Sequence, residues 1–181
     1  MSDVSKFNQF QAAVRSIAEL YDMQHMEDNR ALLSCYSEEV EEEVGRSFQI
    51  PRNPEDLRLK REAYFLWARA NCGMIGRSPD FLNVMLAALA AKKSFFAEGG
   101  ADRANNVSDY YRFVAKNDLF MTHALLDPQL DKGKLRNEQS DPNICLRVVD
   151  ENQDGIILSG IKRIATAAPY ADELLVWPFP P

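Results

Sequence analysis

The apolar residues of this chain change their spacing near residue 117, and that change limits the fold more than any other feature. Before it they recur at intervals of three and four, the period of an amphipathic helix. Phe7, Phe10, Val14, Ile17 and Tyr21 mark one helix over 5–22. Asn53, Pro54, Glu55 and Asp56 read as the start of another: a side-chain cap, a first-turn proline and two carboxylates at the positive helix end. Leu57, Tyr64, Trp67 and Ala68 are expected to form its core stripe. Gly73 and Gly76 interrupt the pattern, and Ser78 and Pro79 are expected to restart it as cap and first helical residue. The alanine-rich run from Phe81 to Ala97 predicts a helix buried on much of its circumference, ended by Gly99 and Gly100. Val107, Tyr110, Tyr111 and Val114 predict one more over 102–116.

Beyond 117 the apolar residues come in short β-branched runs. "ICLRVVD" (144–150) and "GIILSGIKRI" (155–164) flank the turn-forming "ENQDG", and "DELLVWP" (172–178) is a third strand candidate. Helices first and strands second is α+β order, with a helical part over 1–120 and a β part over 121–181. Three strands do not make a self-sufficient sheet, and an open edge invites pairing. The chain therefore reads as truncated within its β part. The carboxylate-rich run "SEEVEEEVGRSFQIP" is expected to be a solvated face or loop.

Composition excludes several classes of function. Net charge is −6 and the pI about 5.0, which opposes the basic face of a nucleic-acid binder. No run of about 18 apolar residues suggests a membrane span, and "MSDVSKFNQF" lacks the pattern of a secretory signal, so a cytoplasmic location is expected. Cys35, Cys72 and Cys145 are dispersed, which suits reduced thiols and offers a metal or iron–sulfur cluster no close ligand set. No phosphate loop, GxGxxG, GxSxG or HExxH is present.

Three stretches carry groups suited to chemistry. In "GMIGRSPDF" (73–81), Arg77 directly precedes a helix start, where its charge adds to unpaired helix N–H groups and favours an anion. "THALLDPQLDK" (122–132) gathers a hydroxyl, an imidazole, an amide and an ammonium. In "GIKRIATAAPYADE" (160–173), Thr166 sits among small residues where a flat ring can approach the backbone.

"GRSPDF", "NDLFMTHALLDPQLDK", "DGIILSGIKRIAT" and "APYADELLVWPFPP" occur in that order. Together they resemble the 4-hydroxyphenylacetate 3-hydroxylase family, the oxygenase components of two-component flavin-dependent aromatic hydroxylases. The resemblance runs from "ELYD" near residue 19 to the end. It implies an acyl-CoA-dehydrogenase-like fold: a helical N-terminal domain, then the opening strands of a β-barrel-like middle domain. The rest of that domain and a C-terminal helical bundle are missing here. It also implies reduced FAD supplied by a separate flavin reductase, O2 and a phenol as substrates, and hydroxylation ortho to the phenol oxygen through a flavin C4a-hydroperoxide.

By the same resemblance, Arg77 and His123 line the phenol pocket and act in catalysis. Phe81 takes the place of a substrate-contacting aromatic residue, tyrosine in many members, and so loses a hydroxyl. His123, Ala124, Leu125, Gln129, Leu130, Asp131 and Lys132 face FAD, with Lys132 in place of a frequent arginine. Thr166 matches a threonine near the flavin ring. Substrate contacts after the third strand fall at Phe179 and Pro180, which offer no hydroxyl. Partners implied are the reductase and a second chain supplying the missing part, with homo-oligomers only when the subunit is complete. The related 4-hydroxybutyryl-CoA dehydratases need an iron–sulfur cluster for which the cysteines provide no ligand set. A non-catalytic interaction module of the same family is the alternative from a different class.

Overall fold

A computed structural model describes residues 6–74, 78–135, 138–141 and 143–176, with only the backbone of Asp80. The chain divides into two compact units, Met1–Phe120 and Met121–Pro181. The first holds α1 (Asn8–Asp22), α2 (Glu27–Leu33), a hairpin of β1 (Ser34–Ser37) and β2 (Glu42–Gly45), then α3 (Pro54–Ala70), α4 (Asp80–Ala91), α5 (Lys93–Ala97) and α6 (Ala101–Asn117). The second holds β3 (Met121–Ala124), β4 (Arg147–Asn152), β5 (Gly155–Ser159) and β6 (Glu173–Val176). Helices and small sheets together make an α+β chain.

Local chemistry explains the first unit's boundaries. Asn53 caps α3 by accepting from the Asp56 N–H at 2.9 Å, with Pro54 in the first turn. α4 starts at Asp80 with no side-chain cap bond, so Ser78 does not cap; its carbonyl accepts from the Phe81 N–H at 3.0 Å instead. The expected 81–97 helix is broken at Lys92, and Ala91 to Phe95 are exposed, so only α4 carries a buried face.

The core face of α3 differs from the expected stripe. Lys60, Ala63 and Trp67 point inward, while Leu57 is 58% exposed and Ala68 is exposed. Trp67 packs with Leu20, Leu33 and Ala63, and its indole N–H donates to Leu20 O at 3.1 Å. Lys60 takes the inward place expected for Leu57 because its ammonium donates to Arg46 O, Ser47 O and Gln49 O at 3.2, 2.9 and 2.7 Å. Its methylenes then pack inside while its charge is met by carbonyls.

Those carbonyls belong to the stretch expected to be a solvated loop. Arg46, Ser47 and Phe48 form a buried turn directly after β2. Asn83 of α4 donates to Ser47 Oγ at 2.9 Å, and the Tyr111 hydroxyl of α6 donates to Phe48 O at 2.8 Å. Three helices thus fasten one turn through polar side chains, which hydrophobic periodicity does not register. The acidic residues upstream are ion-paired on the surface: Arg30 meets Glu43 at 2.7 and 2.8 Å, and Lys116 meets Glu42.

Burial pushes the Tyr111 phenol up to about 12, from an ordinary value of about 10. The neutral phenol is favoured in the folded state, so its contribution to stability is complete below about pH 10 and lost as pH rises towards about 12. The stability difference between the parent and Tyr111→Phe is therefore expected to shift against the parent across that window. Urea unfolding at stepped alkaline pH checks this; a difference independent of pH would contradict the assignment.

Candidate functional site

The second unit brings two of the three singled-out stretches side by side. β3 is the strand Met121–Ala124, with Thr122 fully buried, Ala124 buried and His123 half-buried between them. Strand alternation puts the imidazole on the face opposite Thr122 and Ala124, with Nδ1 buried. β6 pairs with β3 in parallel, setting His123 opposite Leu175. This separates β6 from the β4–β5 hairpin, where Arg147 pairs with Ser159 and Asn152 with Gly155. The strand candidates therefore belong to two different two-stranded sheets.

The stretch 162–166 runs antiparallel to 122–127 and is tied to it at three levels. The Thr122 hydroxyl donates to the backbone carbonyl of Thr166. Leu126 O accepts from the Arg163 N–H at 2.9 Å. The Lys162 ammonium meets the Asp127 carboxylate at 2.8 Å, with both side chains almost wholly buried, and lies 3.4 Å from Leu125 O. Two left-handed residues, Ile164 (φ 60) and Ala167 (φ 67), turn the chain on either side of Thr166. A β-branched residue adopts this conformation only where its surroundings hold it there. Gly160 (φ +122) lets the chain pass Cys145; a Cβ there would sit 2.4 Å from Cys145 O.

The expected flavin-facing residues differ in exposure. Ala124 is buried; Leu125, Gln129, Leu130, Asp131, Lys132 and Thr166 are exposed. These exposed residues offer an amide, a carboxylate, an ammonium, a hydroxyl and two apolar side chains, a set of groups that fits a flat, partly apolar group with polar edges. Phe81 lies in α4 of the first unit and is 37% exposed. Arg77 lies outside the described residues, as do Phe179 and Pro180.

Sequence reasoning noted Thr122 only as the hydroxyl of its stretch and passed over Asp127 and Lys162, which hold this arrangement with it. The one signal available was unexpected polarity next to apolar residues in "MTHALLD" and "GIKRI". Among the described residues no group of three or more His, Cys, Asp and Glu is placed to hold a metal ion, and no helix is long and apolar enough to cross a membrane.

The fold is shared with known enzymes. A structure of an oxygen-tolerant archaeal 4-hydroxybutyryl-CoA dehydratase from N. maritimus matches 96% of this chain and 34% of its own, with a TM-score of 0.80 and 24% identity. That likeness concerns the fold alone.

The sequence itself is more specific. The profile described as 4-hydroxyphenylacetate 3-hydroxylase N terminal matches residues 1–181, and the chain belongs to this family. It is 43% identical over 169 residues to the 4-hydroxyphenylacetate 3-monooxygenase oxygenase component of Thermus thermophilus, covering 93% of this chain and 34% of that protein. The protein of the same name from Geobacillus sp. (strain PA-9) is 38% identical, over 98% of this chain and 36% of its own. A crystal structure of the oxygenase component complexed with FAD and 4-hydroxyphenylacetate superposes with a TM-score of 0.87 at 40% identity, covering 98% and 36% of the two chains. The chain thus spans about a third of the length of these relatives.

Proposed function

We propose that this chain is the N-terminal portion of the oxygenase component of a two-component phenol hydroxylase that uses reduced FAD, O2 and a flavin reductase partner. In this reading 1–120 is the helical N-terminal domain and 121–181 opens a β-barrel-like middle domain. The observation that carries it is the pairing of 122–127 with 162–166, which gathers His123, Leu125 and Thr166 in one unit of a chain belonging to this family. FAD, when bound, supplies the oxygen-activating chemistry.

The chain's own residues have four tasks. His123 exchanges the proton of the phenol hydroxyl, because an imidazole titrates near neutrality with an unperturbed pKa of about 6.5. Arg77 stabilises phenolate charge as it develops, a preorganised electrostatic role. Phe81 packs on the phenol ring without adding a hydrogen bond. Gln129, Lys132 and Thr166 hold the flavin's polar edges, while Leu125 and Leu130 exclude water from its ring. Lys132 offers an anionic flavin group a point charge in place of an arginine's planar fork.

Anaerobic titration of the chain with reduced FAD tests the reading. Saturable binding at roughly micromolar strength, about −8 kcal/mol, is expected. No binding would leave the family membership intact and overturn flavin binding by this chain, favouring the interaction-module alternative.

A further inference from the structure

We infer that Gln139 is a positioning residue that fixes the backbone of Leu130–Leu135 in one conformation, so that Leu130, Asp131 and Lys132 meet the flavin preformed. This rests on the reading that the segment faces FAD. The described residues 130–135 form no helix or strand that would shape the segment. Its backbone is organised instead around one buried amide.

Among the described residues from Gln129 to Asp141, Gln139 is the only buried one. Its Oε1 accepts from two consecutive backbone N–H groups, Leu130 at 3.0 Å and Asp131 at 2.9 Å. Its Nε2 donates to Asp131 O at 2.9 Å and to Lys134 O and Leu135 O at 3.2 Å each. One side chain thus replaces the ladder that a strand or helix would have supplied. Smaller bonds close the turn: Gly133 N–H to Asp131 Oδ1 at 2.9 Å, and Leu135 N–H to Glu138 Oε2 at 3.0 Å.

The division of labour is the mark of a positioning device. The side chains assigned to the cofactor point outward, with Leu130 62% exposed, while the group that sets their backbone is buried beneath them. Only an amide suits the place, since it must accept at one end and donate at the other. A carboxylate would keep the two accepted bonds and set a negative charge against three carbonyl oxygens. A leucine would keep neither end.

The test compares the parent chain, Gln139→Leu and Gln139→Glu by amide hydrogen exchange and by anaerobic titration with reduced FAD. In Gln139→Leu the Leu130 and Asp131 amides are expected to exchange about tenfold faster, and reduced FAD to bind about tenfold more weakly, the scale of one or two lost hydrogen bonds. In Gln139→Glu both amides stay protected while binding weakens about threefold. If Gln139→Leu does not fold, the Glu variant carries the test, and a parental affinity in it overturns the proposal. Faster exchange at parental affinity in the Leu variant would reduce Gln139 to a merely structural role. Unchanged exchange would remove the clamp itself. A parent chain that binds no reduced FAD would overturn the flavin reading and with it the positioning role, while the exchange rates separately decide whether the clamp exists.

Discussion

Lys162→Met is expected to destabilise the second unit by about 3–5 kcal/mol, the cost of removing one partner from a buried ion pair. The Lys162 ammonium and Asp127 carboxylate are 2.8 Å apart, with side-chain exposures of only 6% and 3%. Methionine matches the length of the lysine stem and removes the cation that lies 2.8 Å from the buried carboxylate. The double variant Asp127→Leu/Lys162→Met is expected to recover most of the loss, because the buried ammonium and carboxylate are then removed together. Urea unfolding of the parent, both single variants and the double variant measures the coupling. Additive losses would show that the pair does not act as a unit. The site should respond as well, since the pair ties 122–127 to 162–166 beside His123.

His123→Ala is expected to lower coupled hydroxylation by about 10²-fold or more, the usual scale of a lost proton-transfer group. The measurement belongs in a hydroxylase whose N-terminal third is this sequence, supplied with reduced FAD. Product formed and hydrogen peroxide released are both counted per flavin oxidised. Peroxide should rise as product falls, while flavin reduction by the partner reductase stays unchanged. An unaltered product yield would remove His123 from the chemistry. Because the imidazole is half-buried on β3, on the face away from Thr122, the alanine should leave the Thr122–Thr166 contact in place. The loss would then report on chemistry rather than on folding.

Local signals read the helices well where the physics is local. The Asn53–Pro54 start of α3 and the glycines after Ala97 need no partner from elsewhere in the chain to act. Reading failed where a polar side chain occupied an inward position. Lys60 displaced Leu57 from the core face of α3, and the acidic stretch concealed both a hairpin and the buried Arg46–Phe48 turn. The candidate site followed the same rule. His123 and Thr166 stood out as residue types in unusual surroundings. Asp127 and Lys162 did not, because their role exists only through partners elsewhere in the fold, and Gln139 did not because its burial in a polar loop leaves no trace in the local pattern.

The sequence by itself determined the long helices α1, α3 and α6, the β4–β5 hairpin with its turn, the strand β6 and the family, all of which rest on neighbours in the chain. The tertiary structure decided which strand joins which sheet: β6 crosses back to pair in parallel with β3 and leaves β4 and β5 as a separate hairpin. It also decided that "THALLD" and "IKRIAT" meet. That contact joins residues about forty positions apart through a hydroxyl, a backbone bond and a buried ion pair. Periodicity records which face of a segment is apolar and carries nothing about the partner that face, or its few polar groups, will meet.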